Sequence, residues 1–371
     1  MFKKFTDDIY KSMNKQHNIF VLVGNGFDMA ILNKYKTGRN KGKTSSYNDF
    51  FEYVRYYGLS NSDNILFNQM KENLENGKEN WSDFELIIRN LYEQNVYNID
   101  VIEKCVDEFQ LYFTCFLNDL VDSDLLLSIN NDFREKKLAL QSLSKFLYDL
   151  DKNCGIGFSK NTAHYDLYNF VFANFNYTSL LDNYIYLDKQ QFNPHGYKTV
   201  DTNFGFYPDL NGEIYYAPTR YTAYLYTDII HPHGFQAVPR SILFGMDKVS
   251  YDRASSPEKR LIKSYWAQYE INYKAYFDDA ELFIIYGMSL AETDGWWLDN
   301  IFDAINRKDK KCELIIYWYG NVSEEFVKDQ FLTSCIRHKE ATQEDIDYVK
   351  NNIFVVTFEK NDTYFLGLEK K

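Results

Sequence analysis

The stretch Asn18-Ile-Phe-Val-Leu-Val-Gly-Asn-Gly-Phe-Asp28 decides the fold. Its first half is an unbroken run of branched, aliphatic and aromatic residues, the composition of a parallel strand covered on both faces. Its second half is Gly24-Asn25-Gly26, where missing side chains let the backbone bend tightly and approach a ligand. A helix beginning there turns free N–H groups and the positive end of its dipole toward that ligand, which favours a phosphate. Met29 replaces the third glycine of Gly-x-Gly-x-x-Gly. The turn alone therefore fits a plain strand–turn–helix as well as a nucleotide site.

Downstream, residues 30–165 read as helical. Ser46–Tyr57 carries Tyr47, Phe50, Phe51 and Val54 at helical spacing, and Trp81–Leu91 carries Phe84, Ile87, Ile88 and Leu91, with Ser82 as its expected N-cap. Cys105–Leu120 and Leu138–Leu150 continue the pattern, and Asp151–Asn161 is a breaker-rich loop. From residue 166 the pattern changes to short apolar runs at Asn169–Ala173, Ser241–Phe244, Glu281–Tyr286, Glu313–Tyr317 and Asn352–Phe358. Helices fit between them at Thr178–Leu187, Pro257–Phe277, Trp296–Arg307 and Glu324–Phe331. Strands alternating with helices predict an α/β fold: a doubly wound, mostly parallel, six-stranded Rossmann-like sheet with a large helical insertion after its first strand. The sheet domain comprises residues 18–29 and 166–371, and the insertion residues 30–165. The acidic residue that holds a ribose about twenty positions after the glycine turn would fall inside the insertion, which argues against a conventional dehydrogenase.

Bulk composition narrows the function. Of 371 residues, 45% are hydrophobic and 25% charged, the ordinary globular range. The 18% aromatic content goes with abundant Asn, Lys and Ile, a signature of AT-rich codons rather than of an aromatic binding surface. The net charge of −12 argues against a duplex-DNA face, although a small basic pocket around one nucleotide remains compatible. The one basic run, Lys34–Lys43, reads as a solvated loop. The five cysteines, Cys105, Cys115, Cys154, Cys312 and Cys335, make neither a zinc framework nor a disulfide scaffold. No run approaches the ~18 apolar residues of a membrane span, and Met1–Gln16 has no signal-like apolar core. A cytoplasmic location without membrane attachment is expected.

Four polar clusters follow apolar runs: Gly24–Asp28, Asn174-Phe-Asn-Tyr-Thr178, His231-Pro-His-Gly234, and Gly287-Met-Ser-Leu-Ala-Glu-Thr-Asp294. That edge is where α/β sites assemble. His231 and His233 suit proton transfer or a ribose contact, with purely structural hydrogen bonding as the plainer alternative. A metal would need further ligands, which Asp28, Asp247 or Asp294 can supply. His17, His164, His195 and His338 lack such company and read as structural. In Trp81-Ser-Asp-Phe-Glu85, Asp83 and Glu85 suit helix capping, while Glu85 facing the cleft would be a second acid–base group.

Together, Leu22–Asp28, Trp81–Glu85, Asn174–Thr178, His231–Gly234, Leu243-Phe-Gly245 and Tyr286–Leu290 with Asp294 resemble the AbiH family of bacterial abortive-infection proteins, over residues 18 to about 320. That family is in turn similar to the sirtuin-type (SIR2-like) fold. The counterparts of the sirtuin motifs are Gly24-Asn-Gly26, Asn174–Thr178, Pro232-His-Gly234 and Gly287-Met-Ser-Leu290. The resemblance implies phage defence and NAD as substrate or ligand, with no metal. Asn176 and His233 would be catalytic; Gly24, Asn25, Gly26, Asp28, Asn174, Gly234, Gly287, Ser289 and Asp294 would contact the nucleotide. Asn25 stands where sirtuins have a small residue, Thr178 where they have Asp, and the zinc-ribbon cysteines are missing. Deacetylation is therefore disfavoured, and NAD hydrolysis fits better. A phage-derived trigger and a homo-oligomer are the partners the resemblance allows. Two competing readings are a nucleotide-binding sensor without NADase activity and a metal-dependent nuclease using His231 and His233.

Overall fold

The strands β1 (Gln16–Val23), β2 (Leu167–Asn174), β3 (Tyr224–Ile230), β4 (Leu282–Tyr286), β5 (Glu313–Tyr319) and β6 (Ile353–Phe358) form one sheet in the order β3-β2-β1-β4-β5-β6. Every pairing in it is parallel. This is the doubly wound Rossmann order. The structure, a computed structural model, describes residues 13–37, 41–58, 63–193, 204–210, 218–246, 256–291, 294–335, 340–360 and 362–371. Asp247, His195, His338 and residues 38–40 of the basic run lie outside these.

β1 sits at the centre, paired with β2 through Ile19↔Phe170 and with β4 through Ile19↔Leu282. Successive side chains of a strand point to opposite faces, so β1 feeds two cores. Ile19, Val21 and Val23 join one apolar cluster with the insertion, while Phe20 and Leu22 join another with Phe277, Trp297 and Ile301. Burial on both faces is why the strand reads as continuous apolar sequence instead of alternating.

The insertion after β1 is helical: α1 (Asn25–Tyr35), α2 (Tyr47–Tyr57), α3 (Ile65–Glu75), α4 (Phe84–Gln94), α5 (Ile99–Leu120), α6 (Ser123–Lys136) and α7 (Leu138–Lys145). Its centre is aromatic. Phe50 meets Phe113 edge-on at 5.0 Å and Phe109 at 5.4 Å between ring centres, and truncating such a buried ring to Ala costs about 3–5 kcal/mol. Helix starts are set by side-chain caps, among them Ser46, Asn64 and Asp122. The α4 cap is Asp83, accepting from the Leu86 N–H at 3.0 Å, and not Ser82 as expected.

Two further expectations are corrected. Ser241–Phe244 is not a strand, and the third strand is β3. Pro239 starts a 3₁₀ turn through Ser241, the Leu243 N–H donates to the His233 carbonyl, and Phe244 packs edge-on against Phe84 and Phe113. The apolar quartet serves the insertion core, not a ladder. Nor is Pro257–Phe277 one helix: it breaks into short turns at Ser256–Lys259, Lys263–Trp266, Tyr269–Asn272 and Lys274–Asp279, interrupted by Gln268 at φ +50°. After β2 comes the short α8 (Leu180–Ile185). After β4 come α9 (Gly295–Asn306), then α10 (Glu324–Ser334) and α11 (Gln343–Asn351) flanking β6. Among the described residues no helix is long and apolar enough to cross a membrane.

At the N-terminal edge of the sheet, His17 of β1 bridges Glu281 (Nδ1 to Oε2, 2.9 Å) and Asp166 (Nε2 to Oδ2, 3.0 Å). Burial alone would push this imidazole's pKa down, but the two carboxylates overcome that and hold it above the usual histidine range. The clamp ties together the starts of the three central strands, leaving the opposite edge for the site.

Candidate functional site

At the C-terminal edge, the chain leaves β1 and β4 side by side, the switch point of this strand order. The two turns lock together: the Gly24 N–H donates to the Tyr286 carbonyl and the Gly26 N–H to the Gly287 carbonyl, both at 2.9 Å. A Cβ on Gly24 would lie 2.7 Å from the Gly287 oxygen, and one on Gly26 2.8 Å from Gly287 Cα. Gly287 itself sits at φ +67°, where its own Cβ would press on the Phe27 nitrogen at 2.9 Å. The glycines are thus demanded by the contact between two turns.

β2 delivers its asparagines onto the same turn. Asn174 Oδ1 accepts from the Asn176 N–H at 3.0 Å, and Asn176 Nδ2 donates to the Gly24 carbonyl at 3.1 Å across 152 residues of sequence. Both side chains are buried, and Asn174 Nδ2 has no partner among the described residues. Thr178 Oγ1 donates to Asp28 Oδ2 at 2.6 Å, and Asp28 Oδ1 is buried with no partner among the described residues. Burial lifts the Asp28 carboxyl to about 7; the Thr178 hydrogen bond opposes this and the nearby Asp182 charge adds to it. Asn25 is exposed and bonds through its amide to the Ser45 carbonyl at 3.4 Å, and Ser289 is exposed on the β4 turn.

The two histidines part company. His231 Nε2 pairs with Asp182 Oδ1 of α8 at 3.0 Å, and its ring lies tilted against Phe235 at 4.5 Å between ring centres. His233 is buried, its Nε2 3.0 Å from the Tyr269 hydroxyl, and its ring meets Phe175 edge-on at 5.0 Å. Burial, helped by the charge of Lys263, drives His233 well below the usual histidine pKa, so the ring is neutral at neutral pH and able to accept a proton. No hydrogen bond joins His233 to Asn176 among the described residues; the ring that His233 touches, Phe175, is Asn176's neighbour in the chain. Gly234, at φ +95°, lets this loop press against the Ser241 carbonyl.

Sequence reasoning missed Lys263. It is buried, its Nζ 3.3 and 3.2 Å from the two carboxylate oxygens of Glu85, and Glu85 Oε1 also accepts from the Gly245 N–H at 3.4 Å. Glu85 thus turns inward from α4, and capping falls to Asp83. Burial raises the Glu85 carboxyl and Lys263 restrains it. Asp294, on the loop after β4, is lifted to about 6 by burial, with Lys263 lowering it and Glu85 raising it. The insertion, the segment at Lys263–Trp266 and the β4 loop therefore contribute one set of interacting charges, buried at Lys263 and partly buried at Glu85 and Asp294. The only hint in sequence is a lysine flanked by apolar residues in Leu261-Ile-Lys-Ser-Tyr-Trp266. A cavity of about 480 Å³ opens at Leu261 and Trp266 of that segment, lined also by His231, Gly234, Arg240 and Tyr273 but not by Lys263. Among the described residues no three His, Cys, Asp or Glu side chains converge as they would to hold a metal ion.

A parallel sheet in this order, with asparagine, histidine and carboxylate groups gathered at its switch point, defines a Rossmann-like α/β protein with its candidate site at the strand ends. Within that class, the chain belongs to the AbiH family: the family model described as "Bacteriophage abortive infection AbiH" matches residues 20–318, from β1 into β5, and spans the whole candidate site. This places it among bacteriophage abortive-infection proteins. No curated protein matches the chain.

Proposed function

We propose that this abortive-infection protein is an effector that hydrolyses NAD to nicotinamide and ADP-ribose through a SIR2-like site at the switch point. The observation that carries the reading is the Asn176 amide fastened to the Gly24 carbonyl, with the neutral, buried His233 packed behind Phe175. In the reaction the ribose C1′–N1 bond breaks and its electron pair leaves on the nicotinamide nitrogen. Water then bonds to C1′ through an oxocarbenium-like state and releases one proton. The leaving group is already activated, so the protein's task is to hold ribose and water in place. Asn176 supplies an amide to orient a ribose hydroxyl or that water, and His233 supplies the base.

The fit to a dinucleotide is uneven. The Gly26 N–H is committed to Gly287, so a pyrophosphate taken up by the turn has to displace the β4 turn. Asn174 Nδ2, a buried donor without a partner among the described residues, and the exposed Asn25 and Ser289 are the groups that favour a polar ligand here.

The test is incubation of the purified full chain, and of lysates from phage-challenged cells expressing it, with NAD, followed by chromatography. Equimolar nicotinamide and ADP-ribose, lost in Asn176→Ala and His233→Ala, supports hydrolysis. NAD binding without turnover in either sample makes the protein a sensor, and neither binding nor turnover sinks the reading.

A further inference from the structure

The chain carries a net charge of −12, yet one concavity gathers six basic side chains among its lining. It is formed where the ends of α6 and α7 meet a short two-stranded ribbon (Gly205–Phe206 with Tyr221–Thr222) and the segment at residues 370–371. Its lining contains Lys136, Lys137, Lys145, Arg220, Lys370 and Lys371 and, among the described residues, no Asp or Glu. None of these residues belongs to the candidate site described above.

The placement of these cations is built in. Lys136 is neutralised by Asp132 at 2.9 Å and Glu369 at 3.1 Å. The other five make no ion pair with any described carboxylate. Lys145 is instead held over the rings of Tyr207, Tyr364 and Tyr148, at 5.1, 5.8 and 6.0 Å from their centres, contacts that fix its position without cancelling its charge. Arg220 lies across Gly205, where any Cβ would overlap the guanidinium. The walls are tied by backbone bonds, Tyr207 N–H to the Ser144 carbonyl at 3.0 Å and Lys371 N–H to Gln141 Oε1 at 2.9 Å. Lysines at helix C-termini are favoured by the dipole, which accounts for Lys136 and Lys145. It does not account for Arg220, which comes from the ribbon.

Like charges gathered in excess of their counter-charges repel, and they raise the local potential for anions. Arginine offers a planar fork for phosphate oxygens and lysine a compact point charge. The cavity volume, about 260 Å³, falls just below the roughly 300–1,000 Å³ of sites for drug-sized ligands, so the ligand is small and densely charged. We infer that this pocket is a second ligand site, binding a short phosphate chain of the kind carried by inorganic tripolyphosphate or a nucleoside triphosphate.

The experiment is titration calorimetry of the full chain with inorganic tripolyphosphate at fixed ionic strength. Comparators are sulfate, a nucleoside triphosphate and a single-stranded RNA oligonucleotide. Tripolyphosphate binds the wild type, Lys145→Gln and Arg220→Gln each weaken it about tenfold, as expected for one lost charge-assisted contact, and Lys308→Gln, remote from the pocket, leaves it unchanged. Equal affinity for the triphosphate identifies phosphate alone as the determinant, and tighter binding adds a base contact; either supports the site. Three results overturn it: sulfate binding as tightly, a Lys145→Gln/Arg220→Gln protein with wild-type melting that still binds tripolyphosphate, or RNA binding without tripolyphosphate binding. None of these readouts involves NAD, so the two proposals fail separately.

Discussion

Replacing Lys263 by Met tests whether the buried charges are one unit. The side chains of Lys263 and Glu85 are only 2% and 11% exposed, with Nζ 3.2 Å from Glu85 Oε2. Met nearly preserves the volume of Lys but leaves the Glu85 carboxylate near Asp294 with only neutral donors, the Tyr47 hydroxyl and the Gly245 N–H. Removing one partner of a buried pair costs about 3–5 kcal/mol, whereas replacing both by apolar groups of similar size can be close to neutral. Lys263→Met should therefore lose about 3–5 kcal/mol at pH 8, and Glu85→Met/Lys263→Met should recover most of it. The penalty also has a pH signature. Glu85 is raised above its ordinary 4.5 even with Lys263 present, and losing the cation raises it further. The folded state then keeps a proton that the unfolded chain releases, so the penalty is nearly absent below about pH 4.5 and grows as pH rises.

Urea unfolding followed by tryptophan fluorescence at pH 4 and pH 8, on wild type, both single variants and the double, measures this directly. A Lys263→Met penalty equal at the two pH values, or below about 1 kcal/mol at pH 8, would refute the reasoning and mean that the pair is screened by solvent. Lys263 also contributes to holding His233 low. If the protein hydrolyses NAD, the acid limb of its pH–rate profile should move to higher pH in Lys263→Met.

Asn176→Ala and His233→Ala should each abolish phage protection in plaque assays while the protein still accumulates, since losing the Asn176 bond to Gly24 costs only about 1 kcal/mol; His231→Ala should be milder, and the reverse ranking points to chemistry at the His231–Asp182 pair. Because His17 is raised above 6.5 in the fold, its stabilisation is complete below that pH and fades as pH rises through the folded value. His17→Gln should cost about 3 kcal/mol at pH 5.5, the low end for a buried pair because Glu281 is 25% exposed, and clearly less at pH 9 in denaturant melts. Asp28, raised from 3.8 to about 7, keeps in the fold a proton that the unfolded chain loses, so its contribution falls away as pH rises between those values. Asp28→Asn can still accept from Thr178, and should exceed wild-type stability at pH 8 by about 1–3 kcal/mol while flattening the pH profile.

What the sequence disclosed follows from how far each signal reaches along the chain. β1 was legible because a central parallel strand must be apolar on both faces, and Phe20–Val23 satisfies that locally. β3 was not, because it pairs on one side only: Thr227 and Asp228 interrupt its pattern, whereas Ser241–Phe244 is apolar for a different reason, the filling of an aromatic core 130 and more residues upstream. The site divides in the same way. Its glycine turn, its asparagines and its histidines announce themselves because turn geometry and strand ends constrain neighbouring residues. Lys263 does not, since its meaning lies in Glu85, 178 residues away, and no local pattern distinguishes a lysine that is buried from one in water. Glu85 was ambiguous for a related reason: the first turn of a helix welcomes a carboxylate whether it caps or faces inward, and only the cation arriving from the broken segment after Pro257 chooses between them. The large insertion is therefore part of the candidate site, because it supplies the carboxylate that makes a buried lysine near His233 tolerable.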